Sequence, residues 1–418
     1  MFKGPAIQKL DGALGAKAQS EDNIMGLCLG GVVTTGYPTL GTVVKLIQPT
    51  DADTLGFTAA SDASNKVLIR YHIDEFFRRN PNGVLWLQVV AQGTTMTNMC
   101  DKANAYVKKI MTESLKKIKS FGVVLNPATG YTPTNLNGLD GDTITAITKA
   151  QELVDDFATQ NVFIDEIFIE GRGVNGAISG IKNLRTMASA NVQVVILQDP
   201  DVAALDALFA KYASVGTVLG DHGIRRPEED LGSLQTENNP DKSVNDYPID
   251  SITAGRYLKI GISSGVQMKD LTPTEIALLK TNGYVFADTY PEYNGVYLSG
   301  SPTCTALTSD FAWSPNVRVW NKAARLAVKK LTPKINSTVE TDGAGKLKST
   351  TVTSWQLDVN NTRDGLGSLV SDRYCLKTAC FIDPNQNVYT NNQVVVGMTV
   401  KPYGYAREIT GKLGFSIN

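Results

Sequence analysis

The chain has 418 residues, 42% of them hydrophobic and 19% charged, enough apolar material for two or three domains with sizeable cores. Forty Lys and Arg against forty-one Asp and Glu leave a formal charge of −1, so the surface has little long-range field with which to gather nucleic acid or an anionic membrane. Five scattered cysteines (Cys28, Cys100, Cys304, Cys375, Cys380) cannot form a complete disulfide framework, and the Cys375/Cys380 pair has no second pair or nearby His to make a zinc site.

From the N-terminus, residues 1–22 are rich in Gly and Ala, with isolated apolar residues at Phe2, Ile7, Leu10 and Leu14 and no sustained period; they read as an extended arm without an apolar signal region. The apolar run Ile24 to Val33 is about half the length of a membrane span and reads as a buried strand, followed by a second strand at Thr42 to Gln48. A helix over Asn65 to Arg79, a strand at Val84 to Ala91 and a long helix from Asn98 to Lys119 follow. The outer face of that last helix carries Lys102, Lys108, Lys109, Lys116 and Lys117, as a solvated face does.

The pattern then alternates. Strands are predicted at Phe121–Leu125, Val162–Glu170, Val192–Leu197 and Gly216–Gly220, and helices at Thr143–Ala158, Ala177–Ala190 and Val202–Tyr212. Such alternation indicates an α/β layer with a mostly parallel sheet. Asp221 to Asp250 reads as a long polar loop. A helix at Pro273–Lys280, two strands (Tyr284–Tyr290 and Gly295–Leu298), a helix at Asn316–Lys330 and a hairpin tip at Asp342 to Gly345 come next. Strands at Leu376–Ile382 and Gln393–Val400 precede Ala406–Ile417, where Ile409, Leu413, Phe415 and Ile417 share one face. The fold class is therefore α/β: a mixed core with a parallel-type sheet (23–300), an α+β C-terminal region (301–403), and extended arms at 1–22 and 404–418.

Two motifs suggest chemistry. Gly171, Gly173 and Gly176 spell G-x-G-x-x-G after a predicted strand and before a predicted helix, the setting in which backbone N–H groups cradle a pyrophosphate. Asp199 is the candidate ribose acid, although it stands 28 residues after Gly171 where about 20 is usual. Gly261, Ser263 and Gly265 spell G-x-S-x-G, but both histidines, His72 and His222, precede the serine, the wrong order for a hydrolase of that kind. The adjacent carboxylates Glu228/Glu229 and Asp155/Asp156 read as solvated faces, and the two distant histidines leave little material for a metal centre. Catalytic and metal sites are not expected.

With these elements in order, the chain resembles the tail sheath proteins of contractile phage tails and related contractile injection systems. The resemblance rests on LDGALG, EDNIMGLCLGGV, GTVVKLIQPTDADTLGF and DEFFRRNPNGVLWLQVV toward the N-terminus. Toward the C-terminus it rests on GYVFADTYPEYNGVYLSGSPT, NVRVWNKAARLAVKKLTPKIN and VVVGMTVKPYGYAREITGKLGFSIN. It implies a non-enzymatic subunit, without cofactor, that assembles with copies of itself into a helical tube around an inner tube protein. Baseplate and terminator proteins would be its other partners, with assembly in the bacterial cytoplasm and no binding of nucleic acid or insertion into membrane. The arms, with Phe2, Ile7, Leu10, Leu14, Ile409, Leu413, Phe415 and Ile417, would link neighbouring subunits by strand addition. The readings that compete with it are a nucleotide-binding (NAD-like) α/β enzyme and another self-assembling shell or tube protein.

Overall fold

The computed structural model describes residues 21–32, 36–174, 178–234, 247–407 and 409. Seven strands build the central sheet: β1 (Ile24–Gly31), β2 (Val43–Leu46), β3 (Val84–Ala91), β4 (Ser120–Val124), β5 (Glu166–Glu170), β6 (Val192–Val195) and β7 (Tyr284–Val285). Their spatial order is β7-β6-β5-β4-β1-β3-β2, and every neighbouring pair is parallel except the edge strand β2, which runs antiparallel to β3.

The strands alternate between two cores, as the pleat requires. Met25, Leu27 and Leu29 face the helices α1 (Ile69–Arg79) and α3 (Val215–Ile224). Phe121, Val123 and Leu125 face the opposite core, with α2 (Gly141–Ala158) and the short helices Met96–Cys100 and Val107–Glu113. Helix α4 (Pro273–Thr281) leads into β7, and the hairpin β8 (Ala287–Tyr290) and β9 (Tyr293–Leu298) follows.

A third core belongs to the C-terminal module. Helix α5 (Ser314–Leu331), helix α6 (Ser349–Val359) and the antiparallel pair β10 (Lys377–Ile382) and β11 (Val396–Lys401) enclose Val319, Ala323, Val352, Val359, Leu369 and Ile382. This module sits at the amino ends of the parallel strands. Asn321 donates to the Ile164 carbonyl (2.9 Å), Arg325 pairs with Asp165 (2.7 Å), and Lys322 pairs with Asp22.

Several expectations are corrected. The predicted strand Gly216–Gly220 is the middle of α3: a Cβ on Gly216 would lie 2.4 Å from the His72 carbonyl oxygen, and one on Gly220 would lie 2.6 Å from that of Phe76. These glycines let α3 and α1 approach backbone to backbone, which a local β-propensity reading cannot see. The helix expected over Asn98–Lys119 is two short helices, because Asp101–Tyr106 turns between them and Leu115 and Lys116 take left-handed backbone conformations. The helix expected over Asn65–Arg79 begins at Ile69, Lys66 closing the preceding turn at φ 55°.

In place of a helix over Ala177–Ala190 there are two single 3₁₀ turns, Ile178–Gly180 and Leu184–Thr186, while Ala177 lies outside the described residues. Val202–Tyr212 likewise holds only Pro200–Ala203 and a 3₁₀ turn at Ala207–Phe209. The segment after Asp221 is not a solvated loop where it is described. Asp221 is buried between Arg79 and Arg225, and Glu228 and Glu229 are each 4% exposed. Helix α6 was not foreseen, its apolar positions being too sparse to mark a face.

Candidate assembly interface

The sheet order is that of a doubly wound fold, in which ligands bind beyond the carboxyl ends of the strands where the order reverses, here between β1 and β4. That crevice is closed by the chain itself. Asn126 donates its side-chain N–H to the Gly30 carbonyl (3.0 Å) and accepts from the Leu68 N–H (3.2 Å). The buried Glu170 accepts from the N–H groups of Leu125 (2.9 Å) and Ala213 (3.1 Å). A Cβ on Gly30 would stand 2.2 Å from the Leu125 carbonyl oxygen, so backbone fills the space a ligand would need.

The glycine motif is equally occupied. The Gly171 N–H donates to the Val195 carbonyl (2.7 Å), and a Cβ at this position would lie 2.7 Å from the Val194 side chain and 2.6 Å from that of Ile196. The Gly173 N–H donates to the Lys211 carbonyl (3.2 Å), with φ at +70° shaping a turn. Gly176 lies outside the described residues. The carboxylate of Asp199 caps the short helix Pro200–Ala203 through the Asp201 N–H (3.1 Å) and accepts from the Tyr257 N–H (3.0 Å). These contacts turn the described part of the motif into packing.

The serine of the second motif and the two histidines also make internal hydrogen bonds. Ser263 donates to the Gly171 carbonyl (2.5 Å). His72 Nδ1 accepts from the Gly216 N–H (3.1 Å), and His222 Nε2 is 3.0 Å from Ser120 Oγ. Burial holds both imidazoles neutral, pushing His72 down to about 3 and His222 well below its ordinary value. All five cysteines are buried free thiols, and burial pushes Cys304 up to about 12. Among the described residues there is no cluster of His, Cys, Asp or Glu able to hold a metal ion.

What the molecule leaves open is a surface of the C-terminal module. In the pair β10–β11, Thr378, Cys380 and Ile382 share a face with Val400, Met398 and Val396; on β10 that face packs on α6 and the short helix Gly367–Ser371, on β11 it borders α5, and neither strand has a second strand partner among the described residues. Beside β11 runs a groove of about 660 Å³, lined chiefly by Trp320, Ala323, Ala327, Val396, Met398 and Val400. The two-stranded sheet is too narrow to cover α5, so Trp320 remains 48% exposed and Met398 39% exposed. The alanines at 323, 324 and 327 keep the helix surface low enough for further backbone to lie across it. That run of small residues is the sequence signal for the groove, and it was missed because alanine is also the ordinary helix-forming residue.

The arm residues stand apart from this groove. Ile409 is 83% exposed, and Phe2, Ile7, Leu10, Leu14, Leu413, Phe415 and Ile417 lie outside the described residues.

Residues 2–302 match the family described as DUF2586, N-terminal domain, and residues 310–418 match DUF2586, C-terminal domain. The chain belongs to the DUF2586 family. No curated protein matches this DUF2586 chain by sequence. Its fold is shared along its whole length with solved contractile assemblies. A chain of the contracted helical sheath of the anti-feeding prophage superposes with a TM-score of 0.59 at 13% identity, covering 100% of this chain and 99% of that one. A chain of that prophage's baseplate gives 0.59 at 14%, with the same coverage. A chain of the contracted sheath complex of PVC, an extracellular contractile injection system, gives 0.56 at 11%, covering 100% and 98%. The DUF2586 chain is thus a mixed α/β protein with the fold of contractile sheath subunits.

Proposed function

We infer that this DUF2586 chain is a structural subunit of a contractile sheath, assembling with copies of itself into a helical tube around an inner tube and driving that tube forward by subunit rearrangement. The observation that carries the reading is the open strand edge of β11 beside an apolar groove, in a chain whose fold follows sheath subunits from end to end. An extended segment from another copy would pair its backbone with β11 and lay its apolar side chains over Trp320 and Ala327.

In this reading the units are the arm 1–22, the α/β body 23–300, the C-terminal module 301–403 and the tail 404–418. Phe2, Ile7, Leu10, Leu14, Ile409, Leu413, Phe415 and Ile417 are the linking contacts. Head-to-tail contacts that do not close a ring generate a helix, and exchange of one set of interfaces for a better one performs work without nucleotide hydrolysis. The inner tube, baseplate and terminator proteins are its partners, and assembly takes place in the bacterial cytoplasm.

Negative-stain microscopy of the purified full chain tests this. Tubes or stacked rings are expected, and deleting residues 1–20 or 408–418 should abolish them while the melting temperature of the body is kept. A full chain that stays monomeric at high concentration refutes the reading.

A further inference from the structure

After β11 the chain does not stay with its own module. Residues 402–407 cross the seam and dock on the α/β body, where Tyr405 donates its hydroxyl to the Glu228 carbonyl (2.7 Å). Two residues later the Arg407 guanidinium lies 3.6 Å above the Trp313 ring and donates to Asp230 Oδ2 at 2.8 Å. Asp230 is itself fixed, accepting from Ser301 Oγ (2.8 Å) on the same oxygen and from the Gly232 N–H (2.8 Å) on the other. Trp313 is held as well: Arg185 lies 4.6 Å from its ring and donates to the carbonyls of Thr303 (3.0 Å) and Ala312 (2.7 Å).

A single indole is thus stacked by two guanidiniums, and the one carboxylate among the described residues that pairs with either is Asp230, on Arg407. Such stacking with a rigid, partly buried ion pair restrains an arginine in position and direction. Two residues further on, Ile409 is 83% exposed.

We propose that the Arg407–Trp313–Asp230 contact is a clamp that fixes the root of the C-terminal tail at the seam between the C-terminal module, which supplies Trp313, and the body, which supplies Asp230, setting where the following residues leave the subunit to reach another copy. Arg407 is in this sense a positioning residue for assembly. The proposal rests on the sheath reading for its destination but not for its geometry. A free chain end loses conformational entropy when it is captured, and anchoring its root lowers that loss by concentrating the tail near its target.

The test uses the full chain carrying Ile409→Cys, labelled with a spin or fluorescent probe; the native cysteines are all buried. Arg407→Ala is compared with the parent and with Arg407→Lys, which keeps the charge toward Asp230 but loses the planar stack. Probe mobility in the free subunit should rise for Arg407→Ala and rise less for Arg407→Lys, with the melting temperature within about 2 °C of the parent. The concentration needed to form tubes should increase about tenfold for Arg407→Ala. Unchanged mobility overturns the clamp, and so does raised mobility with an unchanged assembly threshold. A melting temperature that falls by more than about 6 °C in step with assembly reduces Arg407 to a stabilising contact and also overturns it. If the parent itself never forms tubes, the sheath reading fails, and the assembly role of the clamp with it.

Discussion

Replacing Gly216 and Gly220 together by alanine separates helix propensity from helix packing. On an open helix the change would stabilise the fold, by about 1 kcal/mol per site. Here the added methyls would meet backbone oxygens at 2.4 and 2.6 Å, against an ordinary contact of about 3.4 Å, so α1 and α3 would have to part by nearly 1 Å. The atoms in the way belong to the backbone of α1, which cannot swing aside as a long side chain can. Overpacking of this kind costs about 1–3 kcal/mol per site, and the upper half of that range applies when backbone must move. The double variant should therefore be destabilised by about 2–4 kcal/mol after the propensity gain is subtracted. Equilibrium denaturation followed by far-ultraviolet circular dichroism reads this as a lower midpoint at unchanged slope. A midpoint equal to or above that of the parent would refute the close-approach account of α3.

Burial, opposed by Ser314, Arg318 and Gln193, pushes Glu166 up to about 8 in the fold, whereas an unfolded glutamate titrates near about 4.3. The folded state therefore binds the extra proton between those values. The stability from this group is complete below about pH 4.3, is lost as pH rises through about 8, and changes no further above it, a span of a few kcal/mol. Glu166→Gln should flatten that part of the stability profile measured by denaturation from pH 5 to 9, and an identical slope in both proteins would contradict the assignment. Met398→Glu places a carboxylate on the open groove wall. It should leave the subunit's unfolding free energy within about 1 kcal/mol but cut tube yield in a pelleting assay at least tenfold, because an unpaired charge would be buried on assembly. Normal tube yield would exclude the groove from the contact.

Much of the body was legible because its strands carry their own signal. Val84–Ala91 is found as expected, and Ser120–Val124 and Val192–Val195 lie within a residue or two of the expected positions. Their apolar runs have to be buried on both faces, and no other local structure does that as well. Gly216 and Gly220 misled because their purpose is a neighbour 144 residues away in sequence, in α1. Glu228, Glu229 and Asp221 misled for a related reason: an acid reads as solvated unless its arginine is known, and Arg79, Arg225 and Arg226 become partners only in three dimensions. The G-x-G-x-x-G pattern at Gly171 was a true turn signal, but only the hydrogen bonds reveal that protein carbonyls already hold the N–H groups of Gly171 and Gly173. The groove beside β11 was hidden in alanines, and Arg407 could not have been paired with Asp230, 177 positions earlier, from spacing alone.

Helical reconstruction of tubes grown from the purified full chain tests the central claim most directly. The sheath account predicts density for a strand of another copy paired along the outer edge of β11 and covering Trp320 and Ala327. Tubes whose copies meet elsewhere while this groove stays empty would contradict it.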